Sequence, residues 1–370
     1  MPHEMTPRER VRTAMSRQVP DRVPKGCDFT PAAYDKYLAH VGGEMGLDPS
    51  IPEQAAKIPG PAEYFEMEVR GVGFTGPETM PDFRPWFCED LPDSAFFSEY
   101  GTGFIPGTFY HFSRYRFPLE GAQTLADLDG YPWPDFTPAS RHDHLEAQVA
   151  QLQADGWYTM GGVGHIFENA WQVRGQEPLF EDMIRRHDIA TDIYDRMTED
   201  RAFHAKRFCE AGCDSIVCGD DVGMQDRMMF SPAMWRHWLK PRWQYVWEVA
   251  KKANPDVQLW YHSDGAIQPI IPDLIEIGLE ILNPVQPECM DQAWIKREYG
   301  DRLAFWGCVG TQTTMPFGTP EDVRANVKWL IETMGAGGGL YLAPTHVLEP
   351  DVPFENVLAL MQAIKDFGRY

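Results

Sequence analysis

Two residues apart at the end of an apolar run, His262 and Asp264 in "LWYHSDG" are the sharpest chemical signal in this sequence. Side chains of an extended strand alternate with period two, so an imidazole and a carboxylate at this spacing face the same side. Such a pair holds a metal, moves protons, or caps the helix that follows. His346 in "APTHVLEPD" ends another apolar run and offers a second imidazole. Two imidazoles and one carboxylate suit zinc and iron(II) alike, and three protein ligands leave a coordination position open for water or substrate. From the residues alone, a metal centre of His262, Asp264 and His346 and a metal-free acid/base or substrate-binding role both stay open.

Other strand ends carry comparable groups: Asp28, His165, the Asp220-Asp221 pair, Gln286 and Cys308. An Asp or Ser at a strand end also caps the next helix, and for Asp221 and Ser263 that role competes evenly with chemistry. Asp220 or Asp221 would manage a proton or orient a ligand, and His346 would act in acid/base steps. A Cys308 thiolate would shift metal preference toward zinc. Glu168, Trp171, Tyr110, His111 and Gln286 are candidates for substrate contact, with Asp28, His165 and Cys308 beside them. Core packing is the simpler role for Trp171. Arg174 and Arg227 would hold a substrate carboxylate if they point inward.

The elements that must position these groups are regular from residue 140 onward. Strands are predicted at 157–166, 214–221, 257–264, 280–286, 303–310 and 339–344, separated by helices at 142–155, 168–211, 232–252, 268–277, 291–299 and 320–334, with a last helix at 354–367. Short apolar strands alternating with amphipathic helices predict a parallel sheet. A helix at 6–18 and a first strand at 21–29 precede a stretch, to about residue 140, that reads as loops and short strands rich in Pro, Gly and aromatics. With one more strand inside that stretch the count reaches a (β/α)8 TIM barrel, a single domain over 1–370 with long N-terminal loops and extra helices over the mouth. Barrel chemistry sits at the C-terminal strand ends, where the candidate residues lie. Neither GxGxxG nor GxxxxGK[ST] occurs, and "GAGGG" (335–339) precedes a strand, as a turn does.

A formal charge of -22 excludes nucleic acid and anionic membrane as partners, since both attract basic surfaces. No run approaches the roughly 20 apolar residues of a membrane span, and "MPHEMTPRERVRTAMSRQ" lacks an apolar signal core, so a cytoplasmic enzyme is expected. Seven cysteines without a CxxC pair form neither a disulfide framework nor a zinc ribbon.

The ordered series "MTPRERVRTAM", "PDRVP", "LADLDGYPWPD", "IFENAWQVRGQE", "GDDVGMQDRMMFSPAMWRHWLKPR", "HSDGAIQPIIPDLIEIGLEILNPVQPE", "DRLAFWGCVGTQ", "PFGTPEDVR" and "LAPTHVLEPDVPFENV" resembles the uroporphyrinogen decarboxylase superfamily. These barrels include zinc-dependent methyltransferases of corrinoid-linked methyl transfer. The resemblance implies zinc held by His-x-Cys and a later Cys. His262 matches the histidine, while Asp264 and His346 stand where the cysteines would be, exchanging soft thiolates for harder ligands. The decarboxylases' arginine-rich RQAGRY-type stretch is missing from "SRQVPDRVPKGCDF", whereas His346 matches a histidine those enzymes place beside substrate. The resemblance therefore implies a metal-dependent methyltransferase acting between a small methylated substrate, aromatic ones included, and a corrinoid or tetrahydrofolate carrier, with a corrinoid protein as partner and a homodimer as assembly. The alternatives are a metal-free decarboxylase or lyase using His346 and an aspartate on a small carboxylated substrate, and a non-catalytic subunit that presents the barrel mouth to a corrinoid protein.

Overall fold

A computed structural model describes residues 4–107 and 113–370. Its centre is a seven-stranded sheet of β1 (Val69–Val72), β2 (Tyr158–His165), β3 (Ser215–Gly219), β4 (Gln258–His262), β5 (Ile281–Asn283), β6 (Ala304–Val309) and β7 (Leu340–Pro344), paired in that order. Every pairing is parallel. Helices connect the strands as the alternating pattern predicts. The helical stretches predicted over 168–211 are Phe167–Arg174, Gln176–Arg185 and Asp188–Glu210, and the predicted 232–252 helix divides into Pro232–Trp238 and Lys240–Ala253.

The closed eight-stranded barrel is corrected. Residues 23–28 take the eighth position but form no continuous strand. On one side they pair with β7, where Leu342 N–H donates to Pro24 O at 2.9 Å and Gly26 N–H to Leu342 O at 3.2 Å. On the other side they meet the start of β1 through side chains only: Lys25 N–H donates to a Glu68 carboxylate oxygen (3.0 Å) and Cys27 N–H to Met67 Sδ (3.2 Å). Pro24 has no N–H to offer a ladder, and Glu68 occupies the place of a backbone acceptor. The barrel wall is thus sealed there by a side-chain seam.

The stretch before residue 140 holds more order than its composition predicts. Thr30 caps the helix Pro31–Met45, whose Tyr37 and Val41 are fully buried. A small antiparallel sheet joins Phe96–Phe97, Gly103–Ile105 and Arg114–Arg116. The helix Pro7–Met15, opened by a Thr6/Glu9 capping box, packs against the sheet and buries Val11, Ala14 and Met15 with the inward residues Tyr158, Trp260 and Trp306. Its buried Arg10 is paired with Asp21 (2.7 Å) and Glu68 (3.3 Å). No helix among the described residues is long and apolar enough to cross a membrane.

One core histidine makes folding pH-sensitive. His204, on Asp188–Glu210, packs between the rings of Phe74 (4.4 Å) and Phe136 (4.3 Å), and its Nδ1 has no hydrogen-bond partner among the described residues. Burial, then the nearby Arg201 charge, lowers its pKa from 6.5 to about 2. Protonation therefore favours the unfolded chain. The stability of the neutral ring is intact above pH 6.5 and is lost at about 1.4 kcal/mol per pH unit below it, roughly 2 kcal/mol at pH 5. His204→Leu is expected to flatten this slope, read as a smaller gap between the urea midpoints at pH 7.5 and 5. An unchanged gap would rule out His204 as its source.

Candidate active site

At the C-terminal strand ends a cavity of about 740 Å³ opens into the barrel, lined from β1, β2, β3, β4, β5, β6, β7 and residues 26–28. Alternation along the strands decides which residues face it. Trp260 and His262 of β4 do so, as do Trp306 of β6 and Tyr341 and Ala343 of β7. On β2 the pairing with β3 shifts between Gly162 and Gly164, which match the consecutive residues Val217 and Cys218. This extra residue resets the alternation and turns His165 toward the cavity. Gly26 is required by a close approach: a Cβ there would lie 2.5 Å from the Tyr341 hydroxyl oxygen.

The ligating atoms of Asp221, His262 and Asp264 converge within 4.8 Å of one another. His262 Nδ1 donates to Asn283 Oδ1 at 2.6 Å, and Asn283 is itself anchored by donating to Trp306 O at 2.7 Å. This fixes the ring with Nε2 3.3 Å from Asp221 Oδ1. Asp221 Oδ1 also accepts the Asp264 N–H (2.8 Å), which folds the loop after β4 back over β3. Asp264 Oδ1 is buried without a partner among the described residues. Burial opposes the His262 imidazolium, but the Asp221 hydrogen bond and charge, then Asp264, raise its pKa. Burial likewise opposes the Asp221 carboxylate, and His262 holds it below the usual range. Burial raises Asp264 against the pull of His262. The result is an ion pair with a reluctant acid beside it.

A second group of His165, Glu168 and Asp220 lies behind the first. His165 Nδ1 donates to Gly219 O (2.8 Å) and lies 2.9 Å from Glu168 Oε1, which also accepts the Asp221 N–H at 3.0 Å. Glu168 therefore links the two groups. Asp220 is fully buried and does not line the cavity. Its Oδ1 accepts from the N–H groups of Ile166, Phe167 and Glu168, and its Oδ2 from the Trp243 indole at 2.8 Å. Burial pushes this carboxyl up to about 7. Its neighbour Asp221 is the one that faces the cavity.

Other expectations change with the coordinates. His346 lines the cavity but stands outside both converging groups, whereas Asp221 converges with His262 and Asp264. Asp28 lines the cavity, whereas Gln286 sits outside the lining and uses Oε1 to accept the Gly265 N–H at 3.1 Å. Trp171 is edge-packed on Tyr115 at 5.2 Å and lies away from the cavity. Arg174 is buried against Asp182 (2.8 Å), and Arg227 is 72% exposed beside Asp226, so neither points inward. Tyr110 and His111 lie outside the described residues. Asn283 was not singled out in the sequence, because an Asn at a strand end reads as a turn residue.

Cys308 also lies outside the lining. Positive φ at Gly307 (125°) and Cys308 (85°) breaks the alternation that would have turned it inward, and burial pushes its thiol up to about 12. Glycine adopts such a φ without strain. Cys308→Gly is therefore expected to keep activity within about twofold and stability within about 1 kcal/mol. Activity falling with the thiol would return Cys308 to the site.

The profile of the family described as Uroporphyrinogen decarboxylase (URO-D) matches residues 124–367. The chain is 30% identical over 184 residues to the Methylcobamide:CoM methyltransferase MtaA of Methanosarcina barkeri, covering 50% of this chain and 51% of that one. It is 34% identical over 73 residues to the Uroporphyrinogen decarboxylase of Pseudoalteromonas translucida (strain TAC 125), 20% of each chain. The chain thus spans about half the length of the first relative and a fifth of the second. A methyltransferase from Methanosarcina mazei superposes with a TM-score of 0.68 at 21% identity, covering 98% of this chain and 99% of that one, which shows a shared fold. With about two thirds of its length inside the family profile, the chain belongs to the uroporphyrinogen decarboxylase family.

Proposed function

We propose that the protein is a metal-dependent methyltransferase that moves a methyl group between a small methylated substrate and a corrinoid or tetrahydrofolate carrier. The observation that carries this reading is the convergence of Asp221, His262 and Asp264, with a buried Asp264 oxygen lacking a partner among the described residues. One imidazole and two carboxylates are a donor set that zinc and iron(II) both accept, so these residues fit a divalent metal. When bound there, the metal supplies Lewis-acid polarisation of the substrate heteroatom. Asn283 fixes the His262 ring, and Glu168 steadies the Asp221 backbone. In demethylation the carrier takes the methyl group without its bonding pair, and the heteroatom keeps that pair and gains a proton. His346, exposed at the cavity mouth, supplies that proton and takes one back in the reverse direction.

A relative named for methylcobamide:CoM methyl transfer supports a corrinoid protein as partner. The carboxylated-substrate reading is the weaker one, because the two arginines it needs lie elsewhere. Elemental analysis by plasma mass spectrometry tests the proposal. About one zinc or iron per chain, with methyl transfer to a corrinoid, supports it. A protein that binds neither metal, even on titration, ends it.

A further inference from the structure

We propose that the barrel interior beside Asp221, His262 and Asp264 is a slot for a ring-sized, uncharged part of the substrate, and that Gly71 and Gly162 are its specificity-determining residues. This rests on the methyl-transfer reading above, since it describes the molecule that carries the methyl group.

The cavity has two kinds of wall. On β4, β6 and β7 it is aromatic: the Trp260 and Trp306 rings stand at 89° with centroids 6.2 Å apart, and Tyr341 stacks on Trp306 at 3.6 Å. On β1 and β2 the wall is glycine at Gly71 and Gly162. Neither glycine has positive φ, and a Cβ built on either meets no atom within 4 Å. Backbone geometry and packing would both admit a side chain at these positions, so what glycine contributes is empty volume. At about 740 Å³ the cavity is far larger than a methanol-sized substrate needs, and falls in the range of roughly 300–1,000 Å³ that encloses larger organic ligands.

Polarity narrows the class. Trp260 lines the cavity, is 92% buried, and its indole N–H has no acceptor among the described residues, so a ligand oxygen or nitrogen that reaches it would gain a donor. The lining carries Asp28, Glu168 and Asp221, the histidines His165, His262 and His346 toward the strand ends, and no Lys or Arg among the described residues. The cationic groups stand at the strand ends with His262 and the metal it would hold, so a carboxylate on the opposite side of the ring, among Trp260, Trp306 and Tyr341, would lose water without gaining a cation. The geometry therefore selects an aromatic or heteroaromatic group that has a hydrogen-bond acceptor and no negative charge.

The test is calorimetric titration of the metal-loaded protein with anisole, toluene, methanol and 4-methoxybenzoate. Anisole is expected to bind at least tenfold more tightly than methanol or 4-methoxybenzoate. Gly162→Leu and Gly71→Val should each weaken anisole at least tenfold while metal content and melting temperature hold. Gly162→Ala and Gly71→Ala give the same trend in smaller steps should a bulkier variant fail to fold. Trp260→Phe should weaken anisole and leave toluene unchanged. Equal binding of 4-methoxybenzoate, or anisole affinity unmoved in all the glycine variants, overturns the slot. Expected anisole binding in a protein without methyl transfer upholds the slot and sinks the reading it rests on. Methyl transfer with unmoved anisole binding does the reverse.

Discussion

His262→Ala is expected to lose activity on the order of a thousandfold, together with its metal, while melting close to the wild type. Nε2 of this ring faces Asp221, and Nδ1 is locked by Asn283 at 2.6 Å. Removing it takes away the one imidazole of the ligand set. The fold should survive, because the bonds lost are between side chains at a cavity wall that water reaches. Asn283 keeps its hold on Trp306 O, and Asp221 keeps the Asp264 N–H. The comparison variant is His346→Ala, which stands outside the ligand set. It should keep its metal and lose less activity, about tenfold to a hundredfold, as loss of a proton carrier does. Metal content and turnover measured on both variants decide the matter: a His262→Ala protein within threefold of wild-type turnover would sink the site assignment.

Asp220→Ala is expected to be the most destabilising single change among the candidate residues. The first N–H groups of a helix have no partner within it. For the helix Phe167–Arg174 that partner is Asp220, reaching across from β3 to three N–H groups, with Trp243 on its other oxygen. Alanine leaves four buried donors unmet, each costing about 1–3 kcal/mol before any water fills the gap, so a loss of roughly 3–5 kcal/mol is expected. Asp220→Asn retains one acceptor oxygen but turns an N–H toward Trp243, and should lose about half as much. Thermal melting checks both. An alanine variant that melts like the wild type would show that the carboxylate does not hold this helix.

Two adjacent carboxylates thus receive different tasks, and sequence could not separate them. Both follow the strand β3, yet Asp220 turns into the protein and Asp221 into the cavity. What could be read was anything governed by strand alternation. His262 sits at the end of β4, and six predicted strands recur within a few residues of their places. Long-range bonds were not legible, because an Asn283 that orients a histidine 21 residues away carries no local mark. Where alternation itself is broken, the reading failed. The β2 shift makes His165 face inward, and the backbone turn at Gly307 and Cys308 takes the thiol away from the site. The helix Pro31–Met45 was missed despite the Thr30-Pro31 start and Gly46 stop, because glycines at 42 and 43 and low amphipathicity hid its period.

The seam between residues 23–28 and β1 makes the cylinder unequal around its circumference. Elsewhere, prying two strands apart breaks several backbone bonds at once. Here the described residues share no backbone–backbone bond: the seam is a carboxylate, a thioether and the Lys25 ammonium on Glu66 O (3.0 Å), and sulfur is a weak acceptor. Amide hydrogen exchange should register this as a slit: the Cys27 amide exchanging with solvent well before that of Leu342 on the β7 side, whose partner is a backbone carbonyl. Cys27 and Asp28 border the cavity, so the slit runs along its edge. The wall expected to yield first is the one beside the candidate site.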